Sequence, residues 1–292
     1  MNKLRRTMMY VPGNNPGMIK DAHIYGSDAI MLDLEDSVSV YEKDTARFLV
    51  FNALNTIDYR EKEVVVRING LDTEFGFDDL EAIVRAKPDI IRLPKTETAQ
   101  DVINAEREIE RIETETGIEK GSIKLMAAIE SALGVLNSQQ IATSSKRLVG
   151  IAIGAEDFVT DLKTSRSIEG IELLTARSMV LMAARAAGID ALDTVFSDVN
   201  DEEGFIKEVH LIKQMGFDGK SIINPRQIQH VHDIFTPTQD EIQKALRITE
   251  AIRQAEKLGQ GVASLDGKMI DKPVVERACR VLDLAKAARV QL

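Results

Sequence analysis

The sequence has 292 residues, 44% of them hydrophobic, which is enough for a sizeable core. Its 37 basic and 47 acidic side chains give a net charge of −10, which disfavours a nucleic-acid partner because phosphate backbones are repelled. The single cysteine, Cys279, excludes an internal disulfide and fits a reducing compartment. No apolar run approaches the ~20 residues of a membrane span, and residues 1–9 lack the features of a secretory signal. We therefore expect a cytoplasmic protein with no membrane or nucleic-acid partner.

Short apolar runs rich in β-branched residues alternate along the chain with amphipathic helical stretches. The predicted strands span residues 7–11, 29–34, 63–69, 90–93, 124–129, 148–153, 191–195 and 220–223. The helices predicted after them span 14–25, 41–54, 78–86, 99–115, 133–142, 172–187, 203–215 and 227–234. Parallel strands that are buried on both faces read as continuous apolar runs, so eight such units predict a closed (β/α)8 TIM barrel. An open doubly wound sheet is the alternative, and the even spacing favours closure.

After residue 235 the alternation of strands and helices stops. Helices predicted at 239–258 and 274–290 flank a glycine-containing turn region at 259–271. This segment is too short to be an independent domain of typical size. We therefore predict a catalytic barrel over 1–235 and a C-terminal helical extension over 236–292, which packs on the barrel or on a neighbouring subunit.

Polar side chains follow seven of the eight predicted strands, at the end where a TIM barrel carries its active site. These residues are Asp33, Glu35, Asp36, Arg67, Asn69, Arg92, Lys95, Glu130, Glu156, Asp157, Asp193 and Asn224. Any one of them could simply solvate a loop. Because they share one end of the barrel, we expect them to converge on a single mouth.

Glu130 and Asp157 are the candidate metal ligands in this set. They are 27 positions apart, about one βα unit, which places them on adjacent strands. Close carboxylates repel unless a proton or cation separates them, and Mg²⁺ usually binds one or two carboxylates plus water and substrate. The alternative is that both residues cap helices, and the spacing favours the metal. Asp36 is a candidate third acid, whereas the four histidines lack zinc-ligand spacing.

Arg67, Lys95 and the loop over 11–17 can each be interpreted in two ways, as part of a functional site or as part of the structure. Arg67 could hold a substrate carboxylate through its guanidinium fork, or it could form a salt bridge to Glu35 or Asp36. Lys95 could be the Schiff-base nucleophile of a class I aldolase, or an exposed lysine at the rim. The glycine-containing loop over 11–17 precedes a helix and could bind an anion or a carbonyl, although turns are commonly built from these residues.

An ordered set of motifs resembles the citrate lyase β-subunit family, within a wider group of magnesium-dependent carbon–carbon lyases that includes malyl-CoA lyase and the pyruvate aldolases. The matching segments are residues 10–14 (YVPGN), 31–38 (MLDLEDSV), 43–47 (KDTAR), 66–69 (VRIN), 92–95 (RLPK), 128–131 (AIES), 154–158 (GAEDF), 222–225 (IINP) and 267–271 (GKMID). Together they span nearly the whole chain. Asn224 departs from the family pattern, because many relatives have histidine there.

The resemblance implies site residues for a citryl thioester lyase. It implies that Glu130 and Asp157 bind Mg²⁺ and that Arg67 pairs with a substrate carboxylate. It places the thioester arm near Pro12, Gly13 and Asn14, with Lys95 and Glu130 among the substrate-binding residues and Asp36 among the catalytic ones. Asp271 matches an acid that related lyases supply from a neighbouring subunit, and Asp266 is the nearby alternative.

The same resemblance implies a reaction and its partners. A citryl thioester is cleaved to oxaloacetate and an acetyl thioester, with Asp271 protonating the enolate. An acyl carrier protein, an α-subunit and a homo-oligomer, a trimer or a hexamer, are the implied partners. The alternatives are a stand-alone lyase for malyl-CoA, citramalyl-CoA or a related 3-hydroxyacyl thioester, a class I aldolase, and a non-catalytic scaffold subunit.

Overall fold

The computed structural model describes residues 3–257, 259 and 261–291, so the terminal residues of both predicted domains, and Leu258 and Gln260, lie outside the described residues. The chain divides into two compact units, one over Arg5–Val231 and one over 232–292 together with the first four residues. The first unit contains eight parallel strands that pair in chain order and close on themselves, β1 with β8. This confirms the predicted (β/α)8 barrel.

The barrel strands are short and almost entirely buried, as expected for a sheet covered by helices. They are β1 (Thr7–Pro12), β2 (Ala29–Asp33), β3 (Glu63–Arg67), β4 (Ile90–Leu93), β5 (Lys124–Ile129), β6 (Leu148–Ile153), β7 (Asp190–Asp193) and β8 (Gly219–Ile222). Their register aligns the carboxyl ends of neighbouring strands. Asp33 lies opposite Arg67, and Arg67 lies opposite Arg92.

Helices follow the barrel strands on the outside, and short 3-10 turns accompany the first two. They are α1 (Pro16–Asp21), α2 (Lys43–Thr56), α3 (Gly76–Ala86), α4 (Ala99–Thr116), α5 (Ala132–Leu136), α6 (Ser138–Ala142), α7 (Ala155–Asp161), α8 (Ile171–Ala187), α9 (Glu202–Met215) and α10 (Arg226–Phe235). Within the described residues, no helix is both long and apolar enough to cross a membrane.

Apolar side chains fill the middle of the barrel. This core cluster consists of Met8, Ala29, Met31, Val65, Ile90, Met126, Ala152 and Leu192. Strand residues alternate between faces, so the residue two positions further along each strand also points inwards. At that level five of the inward-pointing side chains are polar, Tyr10, Asp33, Arg67, Arg92 and Thr194. The core therefore ends where the candidate site begins.

Two predicted barrel helices differ in detail from the structure. The predicted helix at 133–142 is two helices, α5 and α6, which meet at Asn137. The segment after β6, predicted as loop, contains α7, a helix of seven residues with two acids in its first turn. Acids are favourable at that end because the helix dipole is positive there. The helix is too short to show a periodic apolar pattern.

The second unit contains α11 (Gln239–Lys257), β9 (Ala263–Leu265), β10 (Lys268–Ile270) and α12 (Lys272–Ala287). Its core cluster is Ala245, Ile248, Ile270 and Ala278. The predicted helices at 239–258 and 274–290 correspond to α11 and α12, and within the turn region predicted at 259–271 the strands β9 and β10 form an antiparallel hairpin that was not predicted. Asp266 and Gly267 make its two-residue turn, both with positive φ, and Asp-Gly is a strong sequence signal for such a turn.

Candidate active site

A cavity of about 360 Å³ lies at the carboxyl ends of the barrel strands. Its lining is formed by Tyr10, Pro12, Asp33, Asp36, Ser37, Arg67, Arg92, Glu130, Ile153, Gly154, Ala155, Glu156, Asp157, Thr194, Val195, Ser221 and Ile223. Seven of these side chains are ionisable acids or arginines. The structure therefore brings together five predicted site residues, Pro12, Asp36, Arg67, Glu130 and Asp157.

Arg67 is held by carboxylates at the end of β2 and in the loop that follows it. Its Nε and Nη2 donate to the two oxygens of Asp33 at 2.6 and 2.8 Å, and Nη1 lies 2.8 Å from Glu35 and 3.3 Å from Asp36. Burial raises the pKa of Asp33, but Arg67 and backbone donors outweigh it, so the pKa lies below its ordinary value. The salt bridge predicted as the structural alternative for Arg67 is thus present, and it fixes the guanidinium at the cavity wall.

Glu130 lies at the end of β5 with one oxygen that lacks a partner. The residue is 4% exposed, and its buried Oε2 accepts no hydrogen bond from the described residues. Burial raises the pKa of Glu130 to about 7, and the nearby charges of Arg92 and Arg67 reduce that effect. An ionised carboxylate in this position needs a cation or a donor that enters the cavity.

Gly154 makes room for this carboxylate. A Cβ at position 154 would lie 2.6 Å from Cγ, 2.8 Å from Cδ and 2.9 Å from Oε1 of Glu130. Real Cβ atoms essentially never approach that closely, so a side chain here would displace the carboxylate. The absence of a side chain at Gly154 therefore sets the position of Glu130.

Asp157 lies in the first turn of α7 and faces the same cavity. Its carboxylate forms no hydrogen bond or ion pair with another described residue, and its charge contributes to raising the pKa of Glu130. The alternative that Glu130 and Asp157 cap helices was wrong. Ser131 caps α5, accepting from the N–H of Gly134, and Gly154 holds the N-cap position of α7.

The donor set fits Mg²⁺. No group of three or more His, Cys, Asp or Glu residues arranged for a metal occurs in the described part of the chain. Mg²⁺ does not need one, because it usually keeps several waters and binds one or two carboxylates together with substrate oxygens. Glu130, with its orphaned oxygen, and Asp157, without a partner, are two such carboxylates. A structural zinc site needs four protein ligands and would not fit.

Lys95 is ion-paired and does not line the cavity. Its Nζ lies 2.5 Å from Glu35 and 3.4 Å from Asp36, and its backbone has a positive φ of 42°. Burial lowers the pKa of the Lys95 ammonium, but these carboxylates outweigh it, so the pKa lies above its ordinary value. A Schiff-base lysine must lose its proton to act as a nucleophile, so the geometry counts against a class I aldolase.

The predicted thioester loop reaches the cavity through Pro12 alone. The backbone N–H of Gly13 donates to the carbonyl of Asp33 at 2.8 Å, and a Cβ there would lie 2.5 Å from the same oxygen. Asn14 donates from Nδ2 to Glu42 at 2.7 Å. Gly13 therefore holds the loop against β2 and Asn14 ties it to the turn before α2, and a role for them in thioester binding stays a prediction.

Asp271 and Asp266 belong to the C-terminal unit. Asp271 caps α12, where its carboxylate accepts from the N–H of Val274 at 3.2 Å. Asp266 is exposed in the hairpin turn and pairs with Arg247 at 2.7 Å. Their predicted role at the barrel of a neighbouring subunit stays a prediction.

Arg92, expected at the mouth without an assigned role, and Tyr10, which is not among the predicted site residues, both belong to the cavity. Both side chains point into the cavity, and the guanidinium carbons of Arg67 and Arg92 lie 5.0 and 5.7 Å from the ring centroid of Tyr10. The signal was available, since each residue lies two positions after a core residue of its strand. Asp193, also expected at the mouth, instead pairs with Arg177 at 2.8 Å and Lys220 at 2.9 Å in a buried network.

A sequence model of the HpcH/HpaI aldolase/citrate lyase family matches residues 6–225. The chain belongs to this family. The match spans every strand of the barrel and all the residues that line the cavity. It confirms the resemblance that the motifs indicated.

Individual relatives in the family differ in what their names describe. The citrate lyase subunit β of Haemophilus influenzae is 58% identical over 285 residues, covering 98% of each chain. A (3S)-malyl-CoA thioesterase of Cereibacter sphaeroides is 36% identical, covering 97% of this chain and 95% of its own. Among solved structures, Mycobacterium tuberculosis CitE, crystallised with magnesium, acetoacetate and coenzyme A, has a TM-score of 0.79 and 30% identity, covering 97% of this chain and 98% of that one.

Proposed function

We propose that this chain is the β-subunit of a citrate lyase, a magnesium-dependent carbon–carbon lyase that cleaves a citryl thioester to oxaloacetate and an acetyl thioester. The observation that carries the proposal is the orphaned Glu130 oxygen, in one cavity with Asp157 and the anchored guanidinium of Arg67. The 58% identity to a citrate lyase subunit β over nearly the full length supports the substrate class.

Each cavity residue has a task in this reaction. Glu130 and Asp157 hold the metal, and the chemistry that Mg²⁺ supplies when bound is Lewis-acid polarisation of the substrate hydroxyl. Arg67, oriented by Asp33, pairs with the carboxylate beside that hydroxyl. Asp36, hydrogen-bonded to Arg67 at 3.3 Å, keeps the guanidinium facing the cavity and is the residue that an incoming carboxylate would displace.

The proton balance assigns the remaining step. The hydroxyl proton passes to water in the open cavity as the C–O bond becomes a carbonyl and the carbon–carbon bond breaks, and the electrons of that bond form the enolate of the acetyl thioester. A proton must then reach the terminal carbon of that enolate, and Asp271 of a neighbouring subunit is the proposed donor. The other proposed partners are an acyl carrier protein that presents the thioester and an α-subunit that forms it, in a cytoplasmic homo-oligomer, a trimer or a hexamer.

The alternative functions have less support. A malyl-CoA or citramalyl-CoA lyase would use the same reacting groups, but the malyl-CoA relative is 36% identical against 58% for the citrate lyase subunit. A non-catalytic scaffold has no use for an unpaired buried carboxylate, which costs stability.

The test is cleavage of citryl-CoA by the purified chain, followed by oxaloacetate release with and without Mg²⁺. We expect Glu130→Ala and Asp157→Ala to be inactive at Mg²⁺ concentrations that saturate the wild type. The matched control is Glu156→Ala, which removes the acid next to Asp157 in the first turn of α7. The carboxylate of Glu156 already has an ion-pair partner, Arg166 at 3.3 Å. Wild-type rates in the first two variants would refute the proposal.

A further inference from the structure

Arg92 is a buried cation in the cavity without an anionic partner. The residue is 1% exposed, and its Nε has no hydrogen-bond partner. The contacts of its Nη1 are two sulfur atoms, Met8 Sδ at 3.7 Å and Met31 Sδ at 3.9 Å. Among the described residues, no carboxylate lies within ion-pair distance of Arg92. Removing a guanidinium from water without a partner is costly, so a partner that arrives with a ligand is the physical expectation.

Arg67, directly opposite on the neighbouring strand, shows the contrast. It contacts three carboxylates, whereas Arg92 contacts none, although both line the same cavity and lie over the ring of Tyr10. The anchored guanidinium of Arg67 can exchange Asp36 for one substrate carboxylate. Arg92 has all of its ion-pairing capacity left for another.

A citryl thioester carries two free carboxylates. One is attached to the carbon that bears the hydroxyl, and the other ends a CH₂ arm on the same carbon. Glu130, Asp157 and Arg67 account for the hydroxyl and the first carboxylate. The second has no counterpart among them, and a guanidinium binds a carboxylate through two parallel hydrogen bonds.

We infer that Arg92 binds the carboxylate of the CH₂ arm and determines specificity for citryl thioesters. The inference rests on the proposed function, because it takes a citryl thioester as the substrate. A thioester with a methyl group in place of the arm, such as citramalyl-CoA, would leave Arg92 unpaired in the complex. Selectivity follows from that penalty, since a site built to pair a charge rejects the analogue that lacks it.

The competing explanation is that Arg92 only balances the acids around it, Glu130 foremost. Its effect on binding would then be the same whether or not the ligand carries the arm. Oxaloacetate and pyruvate separate the two explanations, because they differ in this one carboxylate and are the keto products of citryl and citramalyl thioesters.

The experiment is calorimetric binding of oxaloacetate and of pyruvate, each with Mg²⁺, to the wild type, Arg92→Met and Arg92→Lys. We expect the wild type to prefer oxaloacetate and Arg92→Met to weaken oxaloacetate binding by about 100-fold, the size expected for a lost buried charge pair. Pyruvate binding should be unchanged. Arg92→Lys should recover part of the preference, because the charge remains and the fork is lost.

Two results would overturn the inference. One is an equal loss of oxaloacetate and pyruvate affinity in Arg92→Met. The other is equal affinity of the wild type for the two keto acids, a result that can be obtained without any variant. Failure of the proposed function looks different, because the wild type would then fail to cleave citryl-CoA while still selecting oxaloacetate through Arg92. Selectivity in kcat/KM for citryl-CoA over citramalyl-CoA should fall in Arg92→Met in parallel.

Discussion

Arg67 and Arg92 lie directly opposite each other on β3 and β4, and Asp33, Glu35 and Asp36 all pair with Arg67 and none with Arg92. Their guanidinium carbons lie 5.0 and 5.7 Å from the ring centroid of Tyr10. One face of the cavity therefore carries two guanidinium groups, that of Arg67, which is ion-paired, and that of Arg92, which has no ion pair among the described residues. The carboxylates of Glu130 and Asp157 lie in the same cavity.

Replacing Gly154 with alanine should weaken metal binding more than folding. The added Cβ would lie within 3 Å of the carboxylate of Glu130, which is the end of a flexible side chain and can move aside. We expect a large loss of Mg²⁺ affinity, measured by calorimetry, with a melting temperature close to that of the wild type.

Gly17→Ala is the matched control, because a Cβ there meets only Asn15 Oδ1 at an ordinary 3.5 Å. It should bind Mg²⁺ normally. Unchanged Mg²⁺ affinity in Gly154→Ala would show that the position of Glu130 does not depend on this glycine.

Borohydride treatment in the presence of oxaloacetate or pyruvate should not modify Lys95. The carboxylates of Glu35 and Asp36 hold the pKa of its ammonium above the ordinary value, against the effect of burial, so the neutral amine that forms a Schiff base is scarce. Mass spectrometry of the reduced protein is the measurement. An adduct on Lys95, together with activity that survives EDTA, would establish the class I aldolase instead.

The buried network around Asp193 should make stability depend on acid pH. Burial raises the pKa of Asp193, but Lys220 and Arg177 outweigh it and lower the pKa to about 2. A carboxyl whose pKa is lower in the folded protein stabilises it above the unfolded pKa of about 4, and this contribution is lost as pH falls towards 2. The amount is on the order of 2 kcal/mol.

Asp193→Asn tests that dependence through urea unfolding at pH 7, 4 and 3. At pH 7 the variant should lose about 3–5 kcal/mol, because Arg177 and Lys220 then share the single carboxylate of Glu208, which leaves one buried positive charge uncompensated. Between pH 4 and pH 3 its stability should fall less steeply than that of the wild type. Parallel curves for the two proteins would contradict the assigned ion pairs.

Mixed oligomers test whether Asp271 acts on a neighbouring subunit. Glu130→Ala and Asp271→Ala should each be inactive alone and regain activity when co-assembled, because one barrel then has intact metal ligands and receives an intact Asp271 from its neighbour. Glu130→Ala mixed with Asp157→Ala is the control and should stay inactive, since every barrel in that mixture lacks one of its own two metal ligands. No recovery in the first mixture would place Asp271 outside the reaction or within its own chain's site.

The sequence predicted the barrel because its information is local and repeated. Three of the eight predicted runs, residues 90–93, 124–129 and 148–153, coincide with β4, β5 and β6 to the residue, and the other five overlap the observed strands with ends that differ by one or two residues. The helix α7 and the hairpin at Asp266 were missed for different reasons. Seven residues are too few for helical periodicity, whereas the hairpin has a local signal in the sequence, the Asp-Gly pair at its turn.

The site was predictable in membership but not in pairing. Spacing along the chain identifies Glu130, Asp157 and Arg67 as residues at one end of the barrel. It does not say that Arg67 is occupied by Asp33 and its neighbours while Arg92 is not, because that depends on the register of β2, β3 and β4 and on side-chain direction. Only the three-dimensional arrangement reveals the unpaired cation.

The most direct measurement is a crystal structure of the protein grown or soaked with Mn²⁺ as an anomalously scattering substitute for Mg²⁺. A single anomalous peak should appear in the barrel cavity, with carboxylate oxygens of Glu130 and Asp157 at coordination distance. The peak should be absent from crystals of Glu130→Ala treated in the same way. If wild-type crystals show no peak, and the two carboxylates turn away from each other, the metal-dependent lyase is refuted.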